Sequence, residues 1–445
     1  MPNLEIAEIE KSLNSCLSSQ LLDQCGRKNG LEQRRHRGIP TSGLICSLLA
    51  SLGSRRVETL ADLHRDFQAA SESSVNYKPF YEKLDKPGFA RSMKEVFEHL
   101  LRGLSPRVLR PSRSSPLRDF EDIIIHDGTS VGLHEDLRDA FPSRFTALHP
   151  AGAELHVTMS LWRQAAVQVR IAPDCKSERD FVPSAKSLKN KLLLADRGYD
   201  GVGYLSQIDD AGGFFAVRIR SKANPIIHRV LSGSKWLRRQ VGQPLNDVLA
   251  RASDSEFGDL LVTYKARDGH DPRTFRLIVY KLRNPKKSSK PLDPWMRIVT
   301  NVSPQRLSKQ QVPQLYRLRW QIELFFKELK SYANLQPFCT RKKAIAEGLF
   351  WASLCAATLK RFFAHACQLN RGIAAISPRR VAMCAHTFLG QILLLLQSNS
   401  RRLTSALERA FDYLCISARR SNPQREKKRG LLFLELAPRG VRGLP

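Results

Sequence analysis

Two short aliphatic runs limit the folds open to this chain. Ile123-Ile124-Ile125 leads into His126, Asp127 and Gly128, and Leu192-Leu193-Leu194-Ala195 leads into Asp196, Arg197 and Gly198. Runs this brief, without alternation and bounded by turn residues, read as strands buried on both faces. Each stops on an acid with a glycine next to it or one residue on. Turns use Asp and Gly for their own reasons, so either acid alone has an ordinary explanation. Glu154 to Trp162 and Ala165 to Ile171 read as two more strands, joined at Arg163-Gln164. A short helical segment at Ser184 to Lys191, a helix at Gly203 to Ala211 and a strand at Phe214 to Ile219 complete a mixed α/β sheet.

The flanks have a different texture. Residues 1–115 read as helical, with an apolar helix at Thr41 to Leu52 and an amphipathic one at Val57 to Phe67. A third helix runs from Phe89 to Leu104, and a loop rich in Pro, Ser and Arg (Ser105 to Pro116) closes the region. Arg34, Arg35, His36 and Arg37 form a basic cluster there; helix-turn-helix binding is conceivable, though nothing marks a recognition helix. Residues 221–302 look like a β-rich insertion, with strands at Leu260 to Ala266, Thr274 to Leu282 and Arg297 to Val302 and a basic tip at Lys286 to Lys290. Helical periodicity returns at Gln311 to Tyr332 and Ala344 to Gln368, and continues to about Arg419, before a charged tail at Ser421 to Arg429. The expected division is a helical DNA-binding region over 1–115, an α/β domain over 116–360 and a helical region with a basic tail over 361–445.

Charge narrows the partner. Lys and Arg total 72 against 42 Asp and Glu, a net +30. Such a surplus strains the compact state unless a polyanion neutralises it, and nucleic acid is the first candidate. An anionic membrane surface is the second, but no basic amphipathic helix supports it. No apolar run reaches the roughly 18–20 residues of a membrane span. The start, MPNLEIAEIEKS, lacks a basic stretch followed by an apolar one, so a cytoplasmic location is expected. The nine cysteines contain no CxxC pair, which fits reduced thiols. The pairs His365/Cys367 and Cys384/His386 could ligate zinc, but residues two apart on a helix do not share a face, which favours core filling.

The stretch 311–332 carries the most chemistry. With Tyr316 at zero and roughly 100° per residue, Arg319, Glu323 and Lys330 fall at about −60°, −20° and −40°. Leu315, Leu318, Ile322, Phe325, Phe326 and Leu329 occupy the other side. An amphipathic helix with a solvated face would explain this. A phenol, a guanidinium, a carboxylate and an amine on one stripe is nevertheless more selective than a generic charged face. If Glu323 meets Asp127 and Asp196 at one sheet edge, three repelling carboxylates imply bound divalent metal. Two Mg²⁺ ions about 3.5–4 Å apart would suit phosphodiester chemistry.

Tyr316-x₂-Arg319-x₃-Glu323-x₆-Lys330 resembles the Y-R-E-K signature of DDE transposases of the insertion-sequence-four type. Ile125 to Thr129 (IHDGT) and Ala195 to Tyr199 (ADRGY) are similar to the surroundings of that family's two catalytic aspartates. The likeness is strong over about 120–360 and loose in the flanks. It implies a ribonuclease H-like fold and a metal-binding catalytic centre at Asp127, Asp196 and Glu323, served by Mg²⁺ with Mn²⁺ as a substitute. It further implies that Tyr316, Arg319 and Lys330 hold DNA-end phosphates. A tryptophan of the insertion would stack on a flipped base; Trp295 fits that role or ordinary packing equally, with Trp236 as its competitor. The implied activity is cleavage of double-stranded DNA at terminal inverted repeats and joining of the 3′-OH to a target, by a homodimer in a synaptic complex. A nuclease without strand transfer, or a DNA-binding regulator derived from a transposase, are the alternatives.

Overall fold

The aliphatic runs at 123 and 192 lie side by side in the middle of a nine-stranded sheet. The computed structural model describes residues 4–32, 39–71, 74–144, 148–253, 256–265, 271–282, 294–336, 338, 340–372, 376–420 and 436–438. Six helices come first: α1 (Ile6–Leu17), α2 (Ser19–Lys28), α3 (Thr41–Ser54), α4 (Leu60–Ser71), α5 (Tyr77–Leu84) and α6 (Pro87–Gly103). Strand β1 (Leu109–Pro111) precedes β2 (Ile123–Gly132), β3 (Gly152–Ser160), β4 (Ala165–Pro173) and β5 (Leu192–Ala195). Then come α7 (Val202–Asp210) and β6 (Phe214–Arg218). The insertion holds β7 (Ile226–Ser232), α8 (Lys235–Arg238), α9 (Leu245–Arg251), β8 (Phe257–Tyr264), β9 (Arg273–Lys281) and β10 (Trp295–Thr300). The chain continues through α10 (Gln311–Tyr316), α11 (Trp320–Tyr332), α12 (Lys343–Arg371), α13 (Pro378–Cys384), α14 (Leu389–Gln397) and α15 (Leu403–Ser417), and β11 (Leu436–Pro438) pairs with β1.

The sheet order is β4-β3-β2-β5-β6-β10-β9-β8-β7. The chain makes an antiparallel meander β2-β3-β4, then adds β5 and β6 parallel to β2 on its other side. This is the mixed α/β sheet of a ribonuclease H-like fold. The insertion's strands extend it antiparallel from β6, so the inserted segment continues the sheet beyond its β6 edge. Strand β7 and helices α8 and α9 belong to it as well; their half-buried, mixed sequence carries no clean period of 2 or 3.6.

Side chains alternate across a strand, which sorts the central residues between two cores. Ile123, Ile125, Leu192 and Leu194 share a core with α10, α11 and α12, whereas Ile124, Leu193 and Ala195 pack with α7 and the insertion. Helix α12 is 29 residues long and buried along almost its whole length against α3 and α6. It crosses the expected boundary at 360. The helices before the sheet and those after it therefore form one body around α12, because neither set buries its apolar face without it.

Two further expectations change in detail. Strand β2 runs on through Gly132, since β3 pairs with it residue by residue from Ile124 to Gly132. Asp127 therefore lies within a strand rather than at its end. The stretch 311–332 breaks into α10, a 3₁₀ turn at Arg317–Arg319, and α11. The basic residues 34–37 and 286–290 and the tail at 421–429 lie outside the described residues.

Gly348 marks the closest approach of α12 to α6: a Cβ there would sit 2.2 Å from the Phe89 ring. That ring is fully buried and has nowhere to go. Gly348→Ala is expected to cost about 1–3 kcal/mol through overpacking, despite alanine's better helix propensity. The midpoint of urea unfolding measures it.

Candidate active site

Strand register builds the site. Ile123, Ile124 and Ile125 lie opposite Leu192, Leu193 and Leu194 in parallel pairing, so two residues further on Asp127 falls opposite Asp196. Parity turns both acids to the face of Ile125 and Leu194, the face that α10 and α11 cover. Asp196 is the first residue past β5, and Asp127 sits where β2 has lost that neighbour but keeps β3. The β2–β5 pairing ends just before the two acids, at the carboxyl end of β5, where open α/β sheets bind their ligands.

The apolar side of α11 packs down through Ile322, Phe325, Phe326 and Leu329. Its polar stripe also faces the sheet. Arg319 Nη1 donates to Asp127 Oδ2 at 2.8 Å, and Nη2 lies 3.4 Å from Glu323 Oε1. The Tyr316 hydroxyl donates to Asp196 Oδ1 at 3.3 Å. Lys330 Nζ donates to the Ser130 carbonyl of β2 at 3.0 Å. Tyr316 and the Arg319 side chain are largely buried, Glu323 is half-buried and Lys330 is exposed, so the stripe turns from the sheet toward solvent along its length. Tyr316 and Arg319, before and within the 3₁₀ turn at 317–319, reach Asp196 and Asp127, and Lys330 reaches β2 at Ser130.

One guanidinium serves three acids. Burial pushes the Asp127 carboxyl up to about 6; Arg319 and the Gly128 N–H oppose this, and Glu323 and Asp196 add to it. Burial, reinforced by Asp196, holds the Tyr316 phenol well above its ordinary range. The oxygens of Asp127, Asp196 and Glu323 do not all come within 4.8 Å of one another. Arg319 bridges Asp127 and Glu323 instead. An all-oxygen donor set with a cation already held between two of its members has the chemistry of a hard divalent-ion site.

Behind Asp127 lies a second acidic group that sequence reasoning missed. Arg144 reaches Glu154, Asp174 and Glu178 at 2.5, 3.2 and 3.4 Å. Gly128 is what lets Glu154 in: a Cβ there would lie 2.5 Å from Glu154 Oε1. Tyr199, from the second aspartate's motif, packs edge-on against His126 at 5.2 Å between centroids. The available signal was an acid, Glu154, in line with His156, Thr158 and Ser160 on one face of a strand.

Other predicted residues lie elsewhere. Trp295 opens β10 and is 6% exposed in the core of the extended sheet, with Lys281 Nζ 6.0 Å from its ring centroid. Trp236 is half-buried in the same region. The tryptophan exposed beside the site is Trp320, next to Arg319, with Lys327 Nζ 5.5 Å from its ring. The proposed zinc pairs do not gather: Cys367 is buried with its thiol 3.9 Å from that of Cys415, while His386 is exposed. Among the described residues, the His, Cys, Asp or Glu group close enough to share an ion is Cys25, Glu95 and His99, where Lys28 already pairs with Glu95.

The transposase DDE domain family model matches residues 118–359, more than half of the chain. The transposase for insertion sequence element IS1151 of Clostridium perfringens is 25% identical over 54% of this chain and 56% of its own length. The match thus takes in little more than half of that relative. The transposase for insertion sequence element IS231C of Bacillus thuringiensis subsp. berliner is 22% identical over 95% of this chain and 94% of its own. Among solved structures, the piggyBac transposase synaptic complex with hairpin DNA aligns with a TM-score of 0.41 and 8% identity, covering 89% of this chain and 82% of that one.

Two outcomes are expected from this geometry. As a core residue, Trp295→Ala should lower the melting temperature, costing about 3–5 kcal/mol. Its cleavage defect should be equal on intact ends and on ends with an abasic site, whereas a stacking residue would be relieved by the abasic site. Glu154 gives the second outcome. Burial pushes its carboxyl up to about 7 against Arg144, with Glu178 and Asp174 adding to the rise. The folded protein then holds a proton that the unfolded chain releases near 4.5, so stability falls as pH rises between those values. Glu154→Gln is expected to melt a few degrees above the parent at pH 8, at about 2–4 °C per kcal/mol regained. The gap should close as pH falls toward 4.5, followed by thermal denaturation across the series.

Proposed function

The chain belongs to the transposase DDE domain family and is a DNA transposase; on that premise we propose that Asp127, Asp196 and Glu323 are its catalytic acids, acting on DNA ends. The observation that carries this reading is convergence. Asp127 of β2 and Glu323 of α11 share the Arg319 guanidinium, Asp196 past the end of β5 accepts from Tyr316, and Lys330 of the same helical stretch bonds to β2, which supports one site on this sheet face.

The family works with divalent metal ions; in this chain they would be Mg²⁺, two per site, with Mn²⁺ able to substitute. Asp127, Asp196 and Glu323 would hold them, and when bound they supply an activated water and charge stabilisation at the phosphodiester. The chain's own part is position. Arg319 holds Asp127 and Glu323 at the ends of one guanidinium, so neither acid turns away before the substrate arrives. Tyr316 keeps Asp196 oriented, and its phenol stays protonated as a donor. Lys330 is tied to the strand carrying Asp127, and sets a cation at Ser130, three residues along from that acid. Water is the first nucleophile and the freed 3′-OH the second. Each attacks phosphorus as the opposite oxygen leaves, and no covalent enzyme intermediate is needed.

The substrate is double-stranded DNA bearing terminal inverted repeats, and the second site is target DNA. A homodimer holds both ends in a synaptic complex in the cytoplasm. No single described helix is long and apolar enough to cross a membrane. All three acids are present, which favours an active enzyme over a regulator.

Asp127→Ala, Asp196→Ala and Glu323→Ala are each expected to lose Mg²⁺-dependent nicking and joining of end DNA while retaining DNA binding. Groups that act as a unit fail together, so each single variant should approach the triple variant. Gel analysis of nicked and joined products reads both steps; normal nicking by any one variant removes that residue from the site. EDTA should silence the parent in the same assay.

A further inference from the structure

A cleft of about 570 Å³ opens at the far end of α11, where the helical body meets the catalytic domain. Its wall includes Arg55, Arg56, Lys330 and Lys360, and no carboxylate lines it among the described residues. Lys330 lines the cleft and also donates to the Ser130 carbonyl of β2, three residues along the strand from Asp127, so the cleft borders the candidate active site. We infer that this cleft is a binding track for the sugar-phosphate backbone of the DNA that enters the active site, with Arg56 as its free cation. The inference rests on the proposed function and extends it onto the helical body.

The cleft is built rather than incidental. Asn334, just past α11 and in the left-handed region at φ 56°, sends its amide back to the turn that carries the two arginines. Its Nδ2 donates to the Leu52 and Arg55 carbonyls at 2.8 Å each, and its Oδ1 accepts from the Val57 N–H at 2.9 Å. Gln336 Nε2 donates to the Val57 carbonyl at 2.7 Å. Residues 277 positions apart are thereby fastened together, which fixes the 55–57 turn beside the catalytic helix. These bonds run from two side-chain amides to backbone groups of the turn, which they satisfy and hold in place.

The cations are unequally engaged. Arg55 is committed to Asp66 through two 2.9 Å bonds. Lys360 is almost fully buried, and its amine donates to the Tyr332 carbonyl at the end of α11. Burial drives that ammonium down to about 8, a cost that an incoming anion would relieve. Arg56 is exposed and makes no ion pair among the described residues. A cleft this open, walled by amines, guanidinia and amides, suits a chain of phosphates better than a small enclosed anion.

The test is fluorescence anisotropy with a labelled duplex of about 30 base pairs and arbitrary sequence, since backbone contacts do not depend on sequence. Titrations run in EDTA across a salt series, for the parent, Arg56→Ala and Lys11→Ala. Lys11 is an exposed cation on α1 that lines no part of the cleft. Arg56→Ala should flatten the slope of log affinity against log salt by about 0.9, one phosphate contact, and Lys11→Ala should leave it unchanged. An unchanged slope for Arg56→Ala overturns the track, as does an equal loss from Lys11→Ala, which would mean diffuse attraction to the whole charge. Because binding is read without metal, failure here leaves the acids' role in Mg²⁺-dependent cleavage standing. Failure of that role would leave this measurement intact.

Discussion

The guanidinium of Arg319 is the contact on which the rest of the site depends. Asp127 lies in β2 and Asp196 just past the end of neighbouring β5; two ionised carboxylates at a strand spacing of about 5 Å would repel by roughly 3 kcal/mol at an effective dielectric near 20. Adding Glu323 from the covering helix makes the local charge worse. One arginine, mostly buried and bonded to Asp127 at 2.8 Å, supplies the opposing charge from the same helical stretch as Glu323. Spacing on that stretch is thus an electrostatic necessity as well as a motif. The acid and its counter-charge are four residues apart, and the arginine reaches a strand residue 192 positions away.

The same logic recurs one layer back. Arg144 is a single cation among Glu154, Asp174 and Glu178, beneath the backbone of Gly128. Two clusters of acids, each held by one arginine, flank the segment that carries Asp127. Removing either arginine would leave buried charge uncompensated, the most costly kind of loss in a protein interior. In a chain with net charge +30, acids gathered at the strand ends stand out against the basic remainder. That contrast suits a site where cations concentrate at the reacting bond while the surrounding surface attracts the polyanion.

Packing joins these local arrangements to the helical body. Helix α12 passes from the catalytic domain into the helices around it, and Gly348 brings it against Phe89 of α6. Asn334 ties the end of α11 to the turn after α3. Helix α11 is therefore anchored to the sheet through Arg319 and Lys330, and to the N-terminal helices through Asn334. A helix fixed at both ends keeps Glu323 in place without relying on its own first turn.

Much of this was legible in the residues alone. Unalternating runs can only be strands covered on both faces, so Ile123–Ile125 and Leu192–Ala195 declared a central sheet, and the four-residue stripe on 311–332 declared a functional face. Period and composition are local properties, and these features are local. Which way the stripe faced was not local: tertiary packing turned it to the sheet, where a solvated surface was the ordinary reading. Strand length was decided by the partner, since β3 extends β2 past Asp127 while β5 stops short. Trp295 and Trp320 show the same limit, because burial of one and exposure of the other depend on neighbours distant in sequence. The second acidic cluster, the crossing of α12 over the boundary at 360 and the Asn334 clasp all join segments far apart in the chain. The sequence by itself determined which residues could do chemistry and which segments would be strand or helix. Only the tertiary structure decided which of them meet, because meeting depends on register, parity and charge balance between segments that no local pattern encodes.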